Sequence, residues 1–180
     1  MSILSASTSV AKNEEEKSAL QAWYWYDWAN QAFALTVLTV VVPALTASMY
    51  NTATGTQTGD SFYALVLGVS SLFVAVVSPV LGAIADRIEI KKKILWAYTI
   101  VGVIFTAMMG LAPFLGEGTD YMFLAVCLVI GNIGFAGGNV IYYAFMPYVT
   151  SKEDADHVSS WGYAYGLSLI HISEPTRLEP

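Results

Sequence analysis

Four stretches of this chain, residues 28–50, 61–85, 94–116 and 121–151, run for 23, 25, 23 and 31 positions without a charged side chain. A helix crosses the hydrocarbon core of a bilayer with about 20 apolar residues, so each stretch is long enough. Inside lipid every backbone N–H and C=O must be paired within the protein, which leaves only helices and closed barrels. The stretches lack the alternation of barrel strands. The sequence therefore predicts an all-α membrane protein with spans at about 28–50, 61–85, 94–116 and 121–148, the last stretch turning at the interface near Pro147. Only 12% of residues are charged, against about 25% in soluble domains.

The basic residues predict the orientation. Lys12 and Lys17 precede the first span, Arg87, Lys91, Lys92 and Lys93 separate the second and third, and Lys152 follows the fourth. The connections 51–60 and 117–120 contain no Lys or Arg. Positive charge is retained on the cytoplasmic side, so the N-terminus and the second and fourth connections are expected in the cytoplasm, with the protein multi-pass in the cell inner membrane.

Residues 1–21, with three consecutive glutamates and no apolar leader, are expected to form a mobile cytoplasmic tail. At the other end an apolar stretch at 158–172 breaks at Ser173-Glu174-Pro175 and is too short to cross. The run 167–177 resembles translated adapter sequence at the end of a truncated reading frame, so 167–180 is read as a non-native tail and 22–166 as the membrane-embedded part.

Three constellations carry chemistry. Asp27, Asn30 and Ala34 share a face at the start of the first span. An ionisable residue in a span is costly and normally faces the bundle or an aqueous cavity. Asp27 either contacts solute or a proton there, or sits at the interface among Trp23, Tyr24, Trp25 and Trp28, an aromatic anchor; both readings stand.

At the cytoplasmic end of the second span, Gly82-Ala83-Ile84-Ala85-Asp86-Arg87 leads to Lys91. An anion at a helix C-terminus opposes the macrodipole, so Asp86 needs a compensating helix N-terminus or basic side chain. The small residues before it admit a close backbone. Gly82, Asp86, Arg87 and Lys91 are thus a candidate gate, against the plainer reading of a solvated charge cluster.

In the fourth span, Gly134 and Gly138 make a Gly-x-x-x-Gly packing motif. Asn132 and Asn139 lie on roughly one face, with Tyr143 a turn beyond Asn139. This polar stripe either lines a cavity or bonds to neighbouring helices.

Other functions find little support. Cys127 has no second cysteine to pair with and reads as packing. There is no metalloprotease, phosphate-loop or nucleophile-elbow signature, and His157 reads as a surface residue. No enzyme, metal or cofactor is expected, and no basic face suggests nucleic acid.

Taken together, these motifs resemble the major facilitator superfamily, and more closely the branch related to the fungal vacuolar effluxer of autophagy, over about residues 22–166. The opening Tyr26-Asp27-Trp28-Ala29-Asn30-Gln31-Ala32-Phe33 looks like that branch's first motif. Gly82 to Arg87 is similar to the superfamily's motif between its second and third helices, and 134–147 and 158–166 resemble the branch's fourth helix and the start of its fifth. Two departures stand out: Glu89 and Ile90 occupy positions where the motif has Gly and a basic residue, and the fourth span lacks the Arg of proton-driven drug exporters.

The resemblance implies a twelve-helix, two-bundle transporter working by alternating access. This chain would be the N-terminal part of such a bundle, four transmembrane helices and the start of a fifth. It is then expected to be a secondary active transporter fragment for a small solute, such as an amino acid, inactive without its C-terminal half. Asp27, Asn30, Asn139 and Tyr143 are the expected solute contacts, and membrane lipid and a coupling proton the other partners. The rival is a non-transporting membrane scaffold that works through Gly134 and Gly138.

Overall fold

The computed structural model describes residues 7–85 and 88–173, with side chains described outside 84–89 and 167–173. The elements are α1 (Glu14–Ala32), a π-helical stretch (Phe33–Val41), α2 (Val42–Thr54), α3 (Gly59–Ala85), α4 (Ile88–Met109), a 3-10 turn (Ala112–Phe114), α5 (Asp120–Tyr143), the short α6 (Met146–Val149) and α7 (Ala155–Ser173). No strand occurs among the described residues. Four helical segments are long and apolar enough to cross a membrane, Glu14–Thr54, Gly59–Ala83, Ile90–Phe114 and Asp120–Tyr143, matching the four uncharged stretches.

The chain divides into two compact units, Met1–Val40 with Phe145–Pro180, and Val41–Ala144. In the first, α1 packs along α7 and touches α6. The helix begins at Glu14, well before the first uncharged stretch. Asn13 caps it, its side chain accepting from Glu16 N at 2.8 Å. Three glutamates in the first turn complement the helix dipole. The helix takes in residues 14–21 of the segment expected as a tail. The segment ahead of α1 is anchored too: Ser7 is buried, and its carbonyl accepts from the Tyr24 hydroxyl at 3.0 Å.

The widened turns at Phe33–Val41 have a local cause. Pro43 has no N–H to give the Thr39 carbonyl, and its ring crowds that oxygen. The β-branched run Thr36, Val37, Thr39, Val40, Val41 and Val42 also crowds α-helical spacing. Thr39 Oγ1 donates to the Ala34 carbonyl five residues back, at 2.8 Å, tying the wider turn.

In the second unit α5 is the central helix, packed against α4, α3 and α2. Gly55, at φ 68°, ends α2 in the left-handed conformation that lets the chain reverse into α3. The Asn51 side chain then accepts from Gly59 N at 2.9 Å. At this end Tyr50 stacks on Phe62 with centroids 4.5 Å apart, and Tyr121 meets both rings edge-on, which fastens α2, α3 and α5 together.

Pro79 lies inside α3. Ser78, the residue before it, donates from Oγ to the Val74 carbonyl one turn back at 2.7 Å. The outer face of α3, with Leu65, Val69, Leu72, Phe73, Val76 and Val80, is exposed, as are Trp96, Val103 and Ile104 of α4. Apolar faces of this extent suit lipid or further helices rather than water.

Candidate functional site

Asp27 and Asn30 belong to the first unit. Asp27 is only 6% exposed and faces α7. A Cβ added at Gly162 would stand 2.9 Å from Trp23 Cζ3 and 3.7 Å from Asp27 Oδ2. One added at Gly166 would stand 3.1 Å from Gln31 Cγ and 3.9 Å from the same oxygen. The carboxylate therefore lies over the Gly162-x-x-x-Gly166 face, flanked by Trp23 and Gln31. Tyr24 stacks on Tyr165 beside it, with centroids 5.3 Å apart. Asp27 is thus packed between α1 and α7. Asn30, one turn on, is half-buried.

The second unit holds the remaining described candidates. Asn132 is 3% exposed, and its Nδ2 donates to Ser70 Oγ of α3 at 2.8 Å and to Ser71 Oγ at 3.5 Å. Ser70 in turn donates to the Leu67 carbonyl at 2.8 Å. For Asn132, bonding to a neighbouring helix is therefore the right reading and cavity lining is not. Asn139 is half-buried on α5. Tyr143, at the end of α5, is 53% exposed, with its ring edge-on to the buried Tyr142.

Gly134 is a packing residue. Its added Cβ would stand 2.6 Å from Gly102 N, 2.7 Å from Gly102 Cα and 2.9 Å from the Tyr98 carbonyl, all backbone atoms of α4. Gly131 faces Met109, and Gly137 faces the Tyr98 ring. The contact face thus runs through glycines three apart. Gly138, the expected partner of Gly134, is buried.

Of the gate candidates, Asp86 and Arg87 lie outside the described residues. An added Cβ at Gly82 meets nothing within 4 Å, so within this unit no backbone presses on it. Lys91 is 2% exposed, and its Nζ donates to the carbonyl of Ala144, the residue capping α5, at 3.3 Å. A cation at a helix C-terminus complements the dipole and satisfies an orphan carbonyl. Lys91 therefore ties the start of α4 to the end of α5.

Two further sequence readings meet their environment. Cys127 is buried in α5, as packing requires. His157 is not a plain surface residue: its Nε2 accepts from Trp161 Nε1 at 3.2 Å, one turn along α7, and its Nδ1 is buried without a hydrogen-bond partner.

Membrane-length helices joined by glycine contacts, a buried amide–hydroxyl node and a buried lysine cap define a multi-pass α-helical membrane protein. Comparison with known proteins narrows the class. A family model described as "Vacuole effluxer Atg22 like" matches residues 52–160. The chain is 31% identical over 146 residues to the "Uncharacterized MFS-type transporter YxiO" of Bacillus subtilis (strain 168), an alignment covering 81% of this chain. The chain spans about a third (33%) of the length of that curated relative. No solved structure matches. The chain belongs to the vacuole effluxer Atg22-like family, as its opening and gate-like motifs implied.

Proposed function

We propose that this chain forms part of a secondary active transporter that moves a small solute, with amino acids the first class to test, by alternating access. The observation that carries the reading is the family match over 52–160, which overlies helices of membrane-spanning length. The chain covers 33% of that relative's length, and the proposal assigns to the remainder the helices that complete such a transporter. Repeat-built transporters place their solute sites at the interface between such halves.

Asp27, Asn30, Asn139 and Tyr143 are proposed to contact the solute, and Asp27 also to take a coupling proton. The burial of Asp27 supports its part in this, because lipid makes an ionisable group on a span costly unless it serves a partner or a path. Gly82, Asp86, Arg87 and Lys91 are proposed as the cytoplasmic gate. The fixed contact of Lys91 with the end of α5 supports a structured junction there. The distribution of Lys and Arg favours a cytoplasmic N-terminus in the cell inner membrane.

The test is solute flux into liposomes holding the full-length transporter that contains this segment, offered a labelled amino-acid panel with and without a proton gradient. Accumulation above empty vesicles is expected, slowed by Asp86→Ala with insertion intact. Correctly inserted protein that moves none of the panel would remove the amino-acid reading, and unchanged rates in Asp86→Ala would remove the gate.

A further inference from the structure

We infer that Gly162 and Gly166 of α7 are positioning residues for Asp27: their missing side chains form the seat that holds its carboxylate at the α1–α7 crossing. The role in transport rests on the function proposed above; the seat itself does not. Trp23, Asp27 and Gln31 follow one another at single-turn spacing on α1, and Gly162 and Gly166 do so on α7. Trp23 covers the first glycine and Gln31 the second, so the two close the ends of the seat, and one carboxylate oxygen reaches both glycines. The stacked Tyr24 and Tyr165 rings hold the flank, and the Tyr24 hydroxyl is itself tied to Ser7. A methyl at 162 meets the Trp23 ring, a rigid body with no slack along its length. A methyl at 166 meets the Gln31 stem and touches the carboxylate. The first substitution must displace the Trp23 ring and the second the Gln31 stem by a few tenths of an ångström, each beside the enclosed Asp27 carboxylate.

The experiment measures how fast dicyclohexylcarbodiimide, a lipid-soluble carboxyl reagent, modifies Asp27 in the intact protein in detergent, read by peptide mass spectrometry. The carboxylic acid adds across the reagent, its proton passing to nitrogen and its oxygen to the central carbon. An acyl shift then leaves a stable N-acylurea with nothing lost. Asp120, whose Oδ1 accepts from Gly118 N and Tyr121 N in the other unit, is the internal reference.

Asp27 should label slowly in the unsubstituted protein. Gly162→Ala should speed its labelling relative to Asp120 by about tenfold, the factor expected when one added methyl crowds a packed contact, and Gly166→Ala by less. Unchanged Asp27 labelling in both variants would overturn the seat, as would an increase shared equally by Asp120, which reports general loosening. Faster Asp27 labelling with undiminished solute flux would keep the seat and remove Asp27 from the transport reading.

Discussion

Alanine at position 134 is the sharpest perturbation of the α4–α5 crossing. Its methyl carbon would arrive 2.6 and 2.7 Å from Gly102 N and Cα and 2.9 Å from the Tyr98 carbonyl. Non-bonded carbons settle at about 3.5–4.0 Å, so the two helices must part by roughly 1 Å. All three obstacles are backbone, and no rotamer change relieves them. Overpacking of this kind costs about 1–3 kcal/mol.

Gly→Ala within a helix also gains up to about 1 kcal/mol of intrinsic propensity, so the comparison is made against Gly68→Ala. That substitution has the same gain and meets nothing within 4 Å. The expected gap between the two variants is about 1–3 kcal/mol in favour of Gly68→Ala, measured by denaturant titration in detergent micelles followed by circular dichroism. The crossing is also lopsided: a Cβ at Gly102 stands at an ordinary 3.6 Å from Gly134 C and Phe135 N. Gly102→Ala should therefore resemble Gly68→Ala. Equal stability for Gly134→Ala and Gly68→Ala would refute the close approach, and equal damage from Gly102→Ala would refute its lopsidedness.

A double-mutant cycle of Asn132→Ala with Ser70→Ala should give a coupling of about 0.6 kcal/mol and at most about 1.7, the average and the upper value for hydrogen bonds between membrane helices; a coupling indistinguishable from zero would count against the node. Lys91→Met should lose up to about 2 kcal/mol, the upper worth of a partly buried cation at a helix C-terminus, while Lys92→Met should be silent; the same titration checks this, and equal effects would unseat the cap. Tyr24→Phe removes the hydroxyl that holds Ser7, so limited trypsin digestion should cut at Lys12 faster than in the unsubstituted protein, and an unaltered cleavage rate would show that the N-terminal segment is held by other contacts.

The spans were legible because lipid imposes a length and a charge rule that any local sequence must obey. Gly134 was legible for a related reason, since small residues in an apolar helix exist to be approached. Its partner was not: Gly102 is a lone glycine in a long apolar stretch, and nothing local says which helix will lie against it. The Gly162-x-x-x-Gly166 spacing is present in the sequence, yet it falls in an apolar stretch too short to span, where nothing local marks a helix-packing face. Asn132 illustrates a different limit, because a cavity-facing amide and one bonded across helices have the same spacing along α5; only the position of Ser70 separates them. The start of α1 was obscured by its composition, as a run of glutamates reads equally as a solvated tail and as a favourable first helical turn.

The three consecutive lysines at 91, 92 and 93 are not equivalent in the folded protein. Lys92 and Lys93 are exposed and free to meet anionic headgroups. The ammonium of Lys91 is already committed to the end of α5. In the folded protein Lys92 and Lys93 are therefore the part of this run placed to meet headgroups, while Lys91 serves the junction between α4 and α5.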